Sequence, residues 1–309
     1  MLIWGSVEFL AWTGLFILKE TKQIEYSPLS QNYLTNTQKE YIKKLFASDD
    51  TYFRHDPILG WSIRKNVAVK NHISNSDGLR AQREYTEHPA TNITRISTFG
   101  DSFTHGDEVD NNHTWQNYME LLNPKYEVLN YGVSGYGPDQ AFLRYKMEGS
   151  KFYPKIVFLC YMADNVERIV NVYRPFYDTH TGLPLSKPRF ILKENNLTLL
   201  PNPLDNQEAY QELLGPDSNI IPTLGEHDYY FKTHYSIGSL DFLPSVRLFK
   251  VAKKEYRKKQ HKNDVSEAFS ITSRIFYEFI KLAKQRGERP IIVILPAARD
   301  VHRNALNQP

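Results

Sequence analysis

One serine is placed where it could act as a nucleophile. Arg95-Ile96-Ser97-Thr98-Phe99 alternates and is β-prone, so it reads as a strand, and Gly100-Asp101-Ser102-Phe103 follows at once. The end of a buried strand is where open α/β sheets place their ligand sites. Backbone N–H groups beyond such a turn can donate to an oxyanion. A serine hydroxyl needs a base to take its proton before it attacks. Asp101 reads as structural, its carboxylate accepting N–H bonds of the turn. The same tripeptide also suits a plain strand-to-helix turn with a capping serine, and by itself it does not separate the two readings.

Two further segments share this design. Val128-Leu129-Asn130-Tyr131-Gly132-Val133-Ser134-Gly135-Tyr136-Gly137 is a short strand that breaks into a glycine-rich turn before a helix from Pro138 to about Gly149. Lys155-Ile156-Val157-Phe158-Leu159-Cys160-Tyr161-Met162-Ala163-Asp164-Asn165 is an apolar strand ending in polar residues. A helical pattern begins at Thr114, and an amphipathic helix over Ser266 to Arg286 is stopped by Gly287 before a strand at Pro290–Leu295. Strands of parallel type alternating with helices predict an α/β protein.

The ordered set of Ser, Gly and Asn at three consecutive strand ends resembles the SGNH (GDSL-type) hydrolase family. The resemblance is strong over residues 52–175 and extends by pattern over 266–300. Asp56-Pro57-Ile58-Leu59-Gly60-Trp61 and Asn75-Ser76-Asp77-Gly78-Leu79-Arg80 look like the lead-in of one bacterial branch. It implies a three-layer α/β/α, flavodoxin-like parallel sheet of strand order 2-1-3-4-5, here without its last strand and helix. It implies Ser102 as nucleophile. The oxyanion donors it implies are Ser102 N–H, Gly135 N–H and the Asn165 amide, with Gly132 as the alternative register. Ala163-Asp164-Asn165-Val166 departs from the family's Gly-x-Asn-Asp, with Ala for Gly and Val for the last Asp.

The family closes with Asp-x-x-His, the His acting as base, and no such block stands near Pro309. Asp300-Val301-His302 is Asp-x-His, with another spacing and position, and reads as solvated loop. His105 lies three residues after Ser102 and reads as lining the pocket or as a loop residue. His227 and His234 fall in an irregular insertion and read as surface. The expectation is an incomplete copy of a longer protein whose catalytic Asp and His are missing. Loss of the sheet edge would then make this chain less stable than the whole.

Of the 309 residues 41% are hydrophobic, enough for one large or two modest cores. A net charge of +3 is too small to argue for nucleic acid, and no nucleic-acid partner is expected. The single cysteine, Cys160, reads as a buried thiol and excludes an internal disulfide. No metal-ligand spacing and no dinucleotide or phosphate loop stands in the sequence, so no cofactor is expected.

The organisation expected is an N-terminal helix or membrane anchor over 1–20, a lead-in over 21–90, and the hydrolase domain over 91–309 with an insertion at about 170–265. Leu2 to Leu18 is apolar all round except for Glu8, which suits an anchor or a buried helix better than an amphipathic surface helix. Anchoring would place the protein in the cell envelope, the alternative being cytoplasmic. The insertion is rich in Pro, Asn, Tyr and Asp. Its aromatics (among them Tyr173, Phe176, Tyr177 and Tyr210) either pack it or line a carbohydrate groove. Arg168, beside the third block, is a candidate pocket residue. Arg247 to Lys262 carries eight Lys/Arg and one acid, Glu255, and reads as a solvated helix or a surface for anionic lipid or polymer. Three functions follow. The first is an ester hydrolase acting on an ester-bearing small molecule, a lipid or an O-acylated carbohydrate. The second is an O-acyltransferase modifying a polysaccharide. The third is a non-catalytic carbohydrate-binding module.

Overall fold

A computed structural model describes residues 2–22, 24, 26, 34–48, 50–215, 220–231, 235, 238–260, 266–296 and 301. Four parallel strands form its centre: β1 (Thr94–Phe99), β2 (Tyr126–Asn130), β3 (Ile156–Met162) and β4 (Arg289–Leu295). Their order is β4-β3-β1-β2. The chain is thus an α/β protein with a flavodoxin-like arrangement of its sheet, the first strand lying between the second and the third.

Side-chain alternation along the strands sorts the helices into two layers. Phe99 of β1 pairs in register with Leu159 of β3, and both are fully buried. Phe99 meets Tyr145 of helix Pro138–Glu148, which in turn meets Phe279 of helix Glu267–Gln285. The neighbouring pair, Thr98 and Phe158, points to the other face. There Gln116 donates to Thr98 Oγ1 at 3.2 Å and Trp115 stacks on Phe158, both from helix Trp115–Leu122. Sequence-local signals fix the helix ends. Ser266 caps the last helix by accepting from Phe269 N–H, and Pro138 opens the middle one.

The lead-in is not a tether. An antiparallel hairpin, Phe53–Asp56 with Gly60–Ile63, buries Trp61 completely. Asp56 holds its turn, accepting from Ile58 and Leu59 N–H and from Ser62 Oγ.

The insertion is built of regular elements rather than irregular chain. It contains the hairpin Arg189–Lys193 with Asn196–Leu200 and the helices Gln207–Leu214, Ile220–Glu226 and Pro244–Gln260. Its composition hid the hairpin and the first two helices because they are short, whereas Pro244–Gln260 overlaps the basic segment read as a helix from the sequence. Tyr173, Phe176, Tyr210, Tyr230 and Tyr235 are buried, while Tyr177, Tyr229 and Phe231 are half-buried and pack against the same core. The Asp228 carboxylate accepts from the backbone N–H of Val172, Tyr173, Tyr230 and Phe231, which ties the insertion to the chain just after β3. His234 lies outside the described residues. Among the described residues no helix is long and apolar enough to cross a membrane.

Candidate active site

β1 and β3 are neighbours, but the chain leaves β1 for β2 on one side and reaches β3 on the other. Their carboxyl ends therefore flank the switch point of the sheet. Ser102 sits at the end of β1, first in a short helix, Ser102–His105, and is half-buried. Asp101 caps that helix, its Oδ1 accepting from Phe103 N–H at 2.9 Å. Its Oδ2 turns across the sheet and accepts from Met162 N–H at 3.0 Å and from Asn165 Nδ2 at 2.5 Å. A carboxylate with three donors, itself 2% exposed, thus clamps the end of β1 to the end of β3. Each such charge-assisted bond contributes about 1.5–3 kcal/mol. The clamp spends one of the two hydrogens on the Asn165 amide and leaves the other.

The two glycine registers differ in what their N–H groups do. Gly132 N–H donates to Asn130 Oδ1 at 2.9 Å. Gly135 is buried, yet its N–H, like that of Ser102, donates to no acceptor among the described residues. Buried N–H groups are nearly always paired with the chain, water or a ligand, so this one is free to meet water or a ligand atom. Gly135 has a φ of +83°, which side-chain-bearing residues rarely adopt. A Cβ there would also meet Leu183 and Trp61 at 3.1 and 3.2 Å.

Residues far from the motif hold this turn. Trp61 Nε1 donates to Ser134 O at 3.0 Å, and Tyr136 OH donates to Trp61 O at 2.6 Å. Arg174 donates to Gly135 O and Arg168 to Tyr136 O, each at 2.9 Å. Arg174 is buried, and burial together with the neighbouring Arg168 lowers its pKa to about 10. Arg168 lies on the 3-10 helix Ala163–Val170 with Asn165, so it ties the third strand end to the second. Trp61 closes the lead-in block Asp56–Trp61 and Arg174 lies in the insertion, and sequence reading singled out neither as a site residue.

His105 is buried inside the loop that follows Ser102. Its ring is fully buried, with Asp107 Oδ1 at 2.6 Å from Nδ1 and Tyr52 OH at 2.8 Å from Nε2. That pattern suits a neutral ring donating from Nδ1 and accepting at Nε2. Burial, outweighing the attraction of Asp107, pushes its pKa down to about 4. Burial raises Asp107, but the bonds from His105 and Ser134 Oγ prevail and hold it below the usual carboxylate range. Arg80 donates to the carbonyls of His105, Gly106 and Val109, closing the same network from the lead-in. With both ring nitrogens engaged, His105 braces the loop after Ser102. Sequence spacing could not show this, because the ring points back toward Tyr52.

His227 is exposed beside Glu226. Among the described residues no histidine is hydrogen-bonded to Ser102, and Asp300 and His302 lie outside them. Cys160 is fully buried, and burial pushes its thiol pKa up. The described residues hold no cluster of His, Cys, Asp and Glu suited to a metal ion. No protein-family model matches the chain, and no curated protein matches it.

Proposed function

We propose that this chain is a serine-dependent ester hydrolase of the SGNH type. Ser102 Oγ attacks the acyl carbon of an ester and loses its proton to a base. The alcohol then leaves with a proton, and water releases the acid from the acyl-serine. The intermediate's oxygen is held by Ser102 N–H, Gly135 N–H and the remaining hydrogen of the Asn165 amide. Each such donor lowers the barrier by about 3–4 kcal/mol in the best-measured case. The observation that carries the reading is the Asp101 clamp, which brings Asn165 to the turn bearing Ser102 at the switch point of the sheet. The unpaired N–H of buried Gly135 supports it from the second strand end.

A polymer hydroxyl in place of water would make the same acyl-enzyme an O-acyltransferase. Measuring acyl release with and without added polysaccharide separates the two.

The test is covalent labelling with a fluorophosphonate, read by peptide mass, beside hydrolysis of p-nitrophenyl acetate. Labelling on Ser102, lost in Ser102→Ala together with turnover, is the expected result. Equal turnover by Ser102→Ala and the parent chain overturns the proposal.

A further inference from the structure

The apolar N-terminal helix, Leu2–Lys22, is neither enclosed nor alone. One stripe packs on helix Pro244–Gln260. Ala11 is buried, Leu15 and Leu18 are half-buried, and Gly14 lies against Leu248. Glu8, the residue that interrupts the apolar run, has a structural task here. Its carboxylate accepts from Ser245 N–H at 2.9 Å and Ser245 Oγ at 2.6 Å, at the start of the second helix. The opposite face is open. Phe9, Trp12 and Phe16 follow one another at helical spacing with stacked rings, and are 66%, 56% and 55% exposed. Leu10 and Ile17, two turns apart, are exposed beside them. The second helix exposes Phe249 and Tyr256, and the turn before it exposes Leu240 and Phe242.

We propose that this helix pair docks in the plane of an anionic lipid surface. A soluble surface rarely leaves so many large apolar side chains together without a function. The charge around the apolar face is mainly basic, although Glu20 is exposed one turn beyond Phe16 and Glu255 lies on the second helix. Lys253 is exposed between Phe249 and Tyr256 on one helix face, Lys19 and Lys22 lie in the last turn of the first helix, and the sequence from Arg247 to Lys262 is strongly basic. Apolar and aromatic side chains next to lysines are what an interfacial helix needs, the rings at headgroup depth and the cations on anionic lipid. The geometry favours lying flat over crossing. Crossing would strip Glu8 from Ser245 and carry its carboxylate into hydrocarbon. The hydroxyls of Thr13 and Thr21 are already bonded to the helix backbone, to Phe9 O and Ile17 O, so they add little cost at the interface. The first helix is apolar all round, but its neighbour covers one stripe and leaves the other for lipid. This inference does not depend on the proposed esterase activity.

The experiment is flotation of the full chain with vesicles of phosphatidylcholine alone and with 30% phosphatidylglycerol (about one lipid in three, enough for a negative surface). Wild type is compared with Phe9→Glu/Trp12→Glu/Phe16→Glu and with Lys253→Glu, and circular dichroism confirms that each variant is folded. The expected result is binding to the anionic vesicles, at least tenfold weaker for the triple variant, weakened by Lys253→Glu and by salt, and released at alkaline pH. Equal binding to both vesicle types, no vesicle binding, or retention after alkaline extraction overturns the proposal. So does a lipid-free dimer by light scattering that the triple variant converts to monomer, because a second copy would then be the occupant of this face.

Discussion

The strand-end cluster and the N-terminal helix pair show two ways of placing residues against their ordinary preference. At the cluster, polar groups are buried, and almost every one is bonded: Asp101 has three donors and His105 has partners on both ring nitrogens. On the helix pair, large apolar groups face outward and have no covering partner among the described residues. Buried polar groups left unpaired cost stability, and at the cluster a few are left so among the described residues, the Gly135 N–H and Thr104 Oγ1 among them, which leaves room there for a ligand or water. Apolar groups left exposed cost solubility instead, so the exception there is a whole face and points to a surface.

Substitutions can sharpen or break this contrast. The largest effect is expected at Ser102. Ser102→Ala should reduce ester turnover at least about a thousandfold with an unchanged melting temperature, since Ser102 Oγ bonds to nothing among the described residues. A variant that unfolds instead would make Ser102 a structural cap. Asp101→Ala should act on both counts. It strands Met162 N–H and the Asn165 amide and should lower unfolding stability by about 3 kcal/mol, measured by urea titration.

His105 gives a pH test. Its folded pKa, about 4, lies below the ordinary 6.5. The unfolded chain therefore takes up the proton first, so the stability gained by keeping the ring neutral is complete above pH 6.5. It is lost as pH falls from 6.5 toward 4, in total about 3 kcal/mol. His105→Gln should flatten the denaturation midpoint over that window, and an unchanged slope would remove the burial argument. Gly135→Ala combines a positive φ with close approach to Leu183 and Trp61. It should cost about 1–3 kcal/mol of stability and, on the proposed function, slow turnover further by shifting the proposed oxyanion donor. The smallest effect is expected on the other side of the comparison. Trp12→Glu should change stability by less than about 0.5 kcal/mol in water, because the ring is mostly exposed. A large loss would mean that the open face is part of the fold.

The alternating and continuous apolar runs made the strands of the sheet legible, with their ends and the helices between them, since strand and helix periods are local properties of the chain. The same runs placed Ser102, Gly135 and Asn165 at successive strand ends. Local pattern could not say what those ends touch. The bond between Asp101 and Asn165 joins residues 64 apart in sequence and exists because β1 and β3 pair in one register. The burial of His105, the bracing of Gly135 by Trp61 and Arg174, and the role of Glu8 as a partner for Ser245 likewise depend on segments distant in sequence. Sequence determined the elements and the order of their chemical groups, because hydrophobic period and turn chemistry act over a few residues. Tertiary structure alone decided which groups are paired, which are left for a ligand, and which apolar face stays open, because burial and hydrogen bonding are set by neighbours that only the folded chain brings together.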